Sequence, residues 1–337
     1  MRGKLLILLA AMVTVLVLTA CGAKSQEDVV KDLSAKVEDI KGYKADAKMT
    51  LQVGEEPQTY DVEVWHNDPN YYRVHLKNEA RDQSQMILRN EEGVFVLTPA
   101  LNKSFKFQSE WPSNSSQAYL FESLVKDIKE DKEAKFKETK NHYVFETKTR
   151  YQNSQMLPTQ EISFNKKDLT PASVKVMDAD RNALVTVEFS KMDTKASFEK
   201  KDFDMKKNMT GAQLEVPVNA KVSDSEFTVL YPTTEITGTE LVDEKEILTS
   251  TGKRVVLTYE GEKSYTLVQE KSEVIPTMTV STTVNGDLVN LGYTMGAMTD
   301  HSIRWTFDGV DYMLASQDLS PEEMISVAQS VQGSMSK

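Results

Sequence analysis

Cysteine is almost absent from this chain, with one residue, Cys21, in 337. A single thiol excludes a disulfide scaffold and a thiolate metal cluster. Histidine is nearly as scarce: His66, His75, His142 and His301 stand far apart, so no metal-ligand spacing arises. Basic residues are in deficit, 40 Lys and Arg against 51 Asp and Glu, for a formal charge of -11. Nucleic acid is therefore not an expected partner, because phosphate contacts need a basic surface. Catalytic signatures are missing too: there is no G-x-S-x-G, H-E-x-x-H or G-x-G-x-x-G. Thr251-Gly252-Lys253 resembles the end of a phosphate-binding loop, but Ile247 stands where its first glycine is needed. No catalytic residue, cofactor or metal is assigned, and the protein is expected not to be an enzyme. Because carboxylates are plentiful, an envelope hydrolase with a carboxylate pair stays as a third reading.

Apolar residues make up 39% of the chain and charged residues 27%, enough for one large or two ordinary domains with real cores. The one long apolar run is N-terminal: Arg2 and Lys4 precede Leu5 to Leu18, the pattern of an export signal and too short for a comfortable span. It ends in Leu18-Thr19-Ala20-Cys21, which resembles the lipobox of bacterial lipoproteins. That resemblance implies removal of residues 1–20, diacylglycerol on the Cys21 sulfur, and a protein lipid-anchored at the extracytoplasmic face of the cell membrane. Two acyl chains suffice for stable anchoring without a spanning helix.

After a short polar stretch, Val29, Val30, Leu33, Val37 and Ile40 share one helical face, so the spacing predicts a helix over 26–41. Ser25 with Asp28 starts it and Gly42 ends it. From Tyr43 to Lys191 the pattern turns to period two, predicting about ten strands at 44–53, 59–66, 71–76, 84–89, 94–98, 104–108, 143–149, 159–164, 173–178 and 183–189. One helix interrupts them at 116–129. Phe121, Leu124, Val125 and Ile128 form its apolar side, and Glu122, Lys126, Asp127 and Lys129 cover the other. A large curved antiparallel sheet with two covering helices is a container shape; the alternative is a solid core. The strand pattern breaks near Asp202, and a boundary is expected at 215–222. The second unit alternates again at 226–233, 254–261, 264–271, 277–284, 302–307 and 310–316, and closes with a helix capped by Ser320, Pro321 and Glu323.

Residues 62–107 resemble the LolA/LolB class of lipoprotein carriers and sorting proteins of the bacterial envelope. The features are Trp65, Pro69 and Tyr72 in a strand-turn-strand, the turn from Arg89 to Gly93, then Phe95, Leu97 and Pro99. Residues 159–191 resemble the same class's last strands, so the likeness covers about 26–205. It implies a mainly β fold: a LolA-like unclosed antiparallel β-barrel with a helical lid at 25–215, followed by a small C-terminal α+β domain at 222–337. Within that class, the whole chain is similar to a family of Bacillus sporulation lipoproteins. A half-barrel followed by a smaller domain also resembles periplasmic regulators that bind anti-sigma factors. Where the carrier has an arginine associated with lid opening, this chain has Asp68.

The expected function is non-catalytic binding of a lipid, acyl group or lipoprotein in the barrel during sporulation. The alternative is a regulatory adaptor that holds an envelope protein. Alternation nominates Val62, Val64, Val74 and Leu76 as cavity lining, together with Phe95, Leu97, Phe105 and Phe107. Phe121, Leu124, Val125 and Ile128 are the lid candidates, and Asp68 the lid-switch position.

Overall fold

The computed structural model describes residues 24–52, 57–78, 80, 83–215, 227–249, 252–273 and 281–331. The export signal, Cys21 and residues 216–222 of the expected boundary lie outside the described residues. The chain opens on helix α1 (Gln26–Asp39), whose Ser25 hydroxyl accepts from the Asp28 amide at 3.1 Å. A meander of six strands follows: β1 (Gly42–Leu51), β2 (Gln58–Asn67), β3 (Tyr71–Asn78), β4 (Gln83–Asn90), β5 (Gly93–Thr98) and β6 (Lys103–Phe107). Helix α2 (Phe121–Glu130) then leads to β7 (Lys135–Glu138), β8 (His142–Lys148), β9 (Thr159–Asn165), β10 (Pro171–Met177) and β11 (Ala183–Asp193). β11 returns to pair antiparallel with β1, so both halves of the meander join in one sheet. The sheet does not close, since β6 and β7 stand toward opposite ends of its order. This is the unclosed antiparallel architecture expected, with α1 and α2 packed together over its inner face.

Each of the ten strands expected before residue 191 forms; in most of them inward apolar positions alternate with polar ones, and in β4 and β5 both faces are buried. β7 was not legible: Lys135-Phe136-Lys137-Glu138 is exposed or half-buried throughout and carries no alternation. The second helix begins at Phe121 rather than 116. Ser116 and Gln117 are engaged elsewhere, the Ser116 hydroxyl donating to Asp127 and the Gln117 amide to the Ser123 hydroxyl. After β11 the chain forms a short 3-10 turn and helix α3 (Met205–Glu215). These pack on the outer face of β3 to β5, where Phe203, Met209 and Ala212 meet Tyr71, Met86 and Leu88 in a second core.

A seven-stranded antiparallel sheet follows, built from β12 (Thr239–Thr249), β13 (Gly252–Gly261), β14 (Tyr265–Lys271), β16 (Asp287–Asn290), β17 (Met295–Thr299), β18 (Ser302–Phe307) and β19 (Val310–Ser316). Helix α4 (Pro321–Ser330) covers its inner face, with Ser320 and Glu323 completing the expected capping box. Residues 227–233 are not the strand the alternation suggested. Instead, Gln269 brackets Leu230, accepting from its amide at 2.9 Å and donating to its carbonyl at 2.6 Å. The stretch 277–284 is also reassigned: its described part, β15 (Thr282–Val284), pairs parallel with β6 and becomes the twelfth strand of the first sheet. No helix among the described residues is long and apolar enough to cross a membrane.

Candidate functional site

The cavity expected under the lid is occupied by side chains. Val62, Val64, Val74, Leu76 and Phe107 lie on the inner face with the lid residues Phe121, Leu124, Val125 and Ile128, in one continuous core. Trp111, Tyr119 and Leu120, from the segment before α2, pack into the same core. Trp111 is 1% exposed and sets its ring edge-on to Tyr72 at 5.7 Å. Two of the nominated residues are in the other phase: Phe95 and Leu97 face outward into the core beneath α3, while Val94 and Val96 face inward. The reason is that β5 is apolar on both faces, so alternation has no polar residue to fix its register.

Asp127 corrects a second reading. It sits on the apolar side of α2, 1% exposed, not on the solvated face. Its carboxylate accepts from Ser116 at 2.8 Å, Gln160 at 2.6 Å and the Arg150 guanidinium at 2.5 Å. Burial holds it above the ordinary aspartate range, although Arg150, Gln160 and Ser116 all pull the other way. Helix α2 is therefore pinned to β9 (Gln160) and to the segment after β8 (Arg150). Asp68 lies in the turn between β2 and β3 and meets Lys41 at 3.6 Å, both side chains being well exposed. His66 is buried, stacked on Tyr72 at 4.5 Å with its Nδ1 3.1 Å from the Tyr71 carbonyl, a packed core histidine. The described residues contain no group of three or more His, Cys, Asp or Glu able to hold a metal.

A cleft of about 1020 Å³ lies between the two sheets. Strand register builds its floor as two parallel rows. One row is apolar at its centre: Val256 pairs with Val268, Val268 with Met313, Met313 with Arg304, and Arg304 with Ala297. The neighbouring row, two residues along each strand, is polar: Ile247 pairs with Arg254, Arg254 with Glu270, and Glu270 with Asp311. The charges are already balanced, Arg254 gripping Glu270 through Nε and Nη2 at 2.9 and 2.7 Å. The facing wall comes from β5, β6 and β15 and includes Val96, Phe105, Phe107 and Val284. Of the nominated residues, Phe105 and Phe107 line this cleft.

Polar pins fix the two walls. Lys103 of β6 donates to Asp311 at 2.7 Å and to the Ser272 hydroxyl at 2.6 Å. Gln85 of β4 accepts from the Met295 amide at 2.9 Å and donates to Thr294 at 3.1 Å. Ser104 and Ser281 meet at 2.8 Å beside them. The cleft is thus held open by bonds across it, with an aliphatic and aromatic interior and a neutralised charged margin. A signal for it was present in the sequence: Val255 to Leu257, Leu267-Val268 and Tyr312 to Leu314 are consecutive apolar runs, and a strand apolar on both faces has something to cover on both. α4 covers one face only.

Comparisons with known proteins place the chain. A family described as "Sporulation protein YdcC-like" matches residues 1–203. The protein "Sporulation protein YdcC" of Bacillus subtilis (strain 168) is 56% identical over 336 residues, which is 100% of this chain and 99% of the relative. Among solved structures, the MucA/MucB complex of Pseudomonas aeruginosa aligns at 13% identity over 92% of this chain and 100% of that one, with a TM-score of 0.33. A LolA superfamily protein from Nitrosomonas europaea aligns at 11% identity over 53% of this chain and 98% of that one, with a TM-score of 0.30.

Proposed function

The chain belongs to the YdcC-like family of sporulation proteins, and on that premise we propose that it is a non-catalytic adaptor: tethered through lipidated Cys21 at the outer face of the cell membrane, it holds a segment of an envelope protein in the cleft between its two sheets. The observation that carries this reading is the make-up of the cleft floor. An acyl chain is best served by an apolar wall throughout, whereas a polypeptide presents apolar and polar groups in alternation. Here an aliphatic row (Val256, Val268, Met313) runs beside a charged one (Arg254, Glu270, Asp311), at the two-residue spacing of extended chains. The filled interior under the lid favours the same choice over a lipid held in the barrel.

The double substitution Val268→Lys, Met313→Lys tests it in sporulating cells. Both positions are half-buried, so a lysine can lay its stem on the floor and keep its charge in the cleft, leaving the fold intact. Each change removes apolar contact with a bound segment and is expected to weaken partner capture about tenfold. The expected result is a protein that accumulates normally, no longer co-purifies its partner, and supports few spores. Normal spore yield with normal accumulation contradicts the reading.

A further inference from the structure

Among the described residues, no strand pairs with the outer side of β12 in the second sheet. β12 runs for 11 residues at the end of that sheet, and residues 240 to 246 are exposed without interruption. Of the five large hydrophobic side chains exposed among the described residues, three are on this strand: Leu241 at 40%, Val242 at 55% and Leu248 at 90%. Soluble proteins blunt such edges by shortening them, covering them, or adding bulges, lysine and proline. The other edges conform: β7 has four residues, three of them charged, β15 three, and β16 four. β12 carries one irregularity, between Leu241 and Asp243, and then continues in register with β13 from Asp243 to Thr249. No proline lies within it.

Its charge selects among occupants. Glu240, Asp243, Glu244 and Glu246 outnumber Lys245 on the strand and Lys253 of β13, which pairs with Glu246, while the Tyr231 hydroxyl donates to Glu244 at 2.8 Å; the edge stays net negative. A second copy pairing antiparallel about Lys245 would set Glu244 opposite Glu246, and like charges directly opposed are destabilising. An anionic membrane surface is repelled for the same reason. We propose that β12 is the docking strand for a basic, extended segment of a partner protein, which adds to the sheet edge through main-chain hydrogen bonds and sets its cationic side chains against Glu244 and Glu246, which share one face of the strand. Strand addition of this kind draws affinity from the main chain and specificity from the flanking side chains. Ile247 links the edge to the cleft, since it belongs to β12 and lines the cleft. The inference therefore rests on the adaptor reading for its choice of a protein partner, and adds the partner's chemistry.

The test uses the full chain in detergent and a labelled nine-residue peptide alternating lysine with valine, followed by fluorescence anisotropy. Two probes accompany it: the same peptide with glutamate for lysine, and the lysine peptide N-methylated at alternate backbone nitrogens, which keeps its charge but blocks a ladder. Binding of the lysine peptide is expected, with at least about a tenfold loss for either control and for the variant Glu244→Lys, Glu246→Lys. Equal binding by the glutamate or N-methylated peptide, or no binding at all, overturns the proposal. So does a concentration-dependent dimer that the same charge reversal abolishes. The variant Val268→Lys, Met313→Lys separates the two readings. If it loses partner capture while keeping the peptide, cleft and edge both stand. If it loses the peptide and the charge-reversed variant keeps it, the edge proposal falls and the cleft reading survives.

Discussion

Arg150→Met is expected to lower the unfolding free energy by about 3 kcal/mol, because it strands a carboxylate inside the protein. Asp127 is 1% exposed, and among the described residues Arg150, at 2.5 Å, is the cation paired with it; Ser116 and Gln160 complete its bonds but carry no charge. Removing one member of a buried pair leaves the other with its full desolvation cost, whereas removing both is far milder. The double variant Asp127→Asn, Arg150→Met, which removes both charges and keeps an amide oxygen as acceptor for Ser116 and Gln160, should therefore recover most of the loss. The pH dependence has a definite sign. A carboxyl whose pKa in the folded state is raised binds more protons folded than unfolded, so it costs stability at neutral pH and that cost fades as pH falls toward the ordinary aspartate value of 3.8. Without Arg150 the raise is larger, so the deficit of Arg150→Met should be greatest at pH 7 and shrink by pH 4.5. Urea unfolding at the two pH values measures both effects. A deficit independent of pH would mean that Arg150 acts by packing and not by neutralising Asp127.

The second large effect is at Trp111. Trp111→Ala is expected to cost about 3–5 kcal/mol, the range for truncating a fully buried aromatic. Its ring contacts Tyr72 of β3 and belongs to the core shared by the sheet's inner face and the lid residues of α2. The prediction separates two pictures of the barrel. If the lid segment closes over a solid core, removing the indole leaves a void and the full penalty appears in the urea midpoint. If the segment swings open over a lipid chamber, Trp111 is exchangeable with ligand and the loss in purified protein should be under about 1 kcal/mol.

How much of this was legible follows from where each signal resides. Strands β1, β2, β6 and β8 to β11 announce themselves because one face is largely apolar and the other largely polar, whereas the outer faces of β3 and β4 are claimed by the second core through Tyr71, Met86 and Leu88. β5 announces itself as a strand but not in phase, since Phe95 and Leu97 are as apolar as Val94 and Val96 and a second core under α3 claims them. Exposed elements leave no such trace: β7 and β12 have almost no buried residue, and α3 buries little beyond Asn208, Met209 and Ala212. Asp127 looks solvated in the sequence because charge on a helix usually is, and its partners Arg150 and Gln160 are 23 and 33 residues away. The cleft is the least local feature. Its floor takes one or two residues from each of several strands and its facing wall comes from the other sheet, so no single window of sequence contains it. Only the consecutive apolar residues at 255–257, 267–268 and 312–314 pointed to a second face needing cover.

The central claim is that the cleft holds a protein segment, and site-specific crosslinking tests it most directly. A photoreactive phenylalanine analogue placed at Met313, in the middle of the aliphatic row, is irradiated in sporulating cells and its adducts are identified by mass spectrometry. The account predicts a discrete protein adduct, with the crosslinked peptide coming from one extended segment rich in lysine or arginine. Adducts carrying acyl chains, or no protein adduct in cells that sporulate normally, would contradict it and return the search to the interior of the barrel.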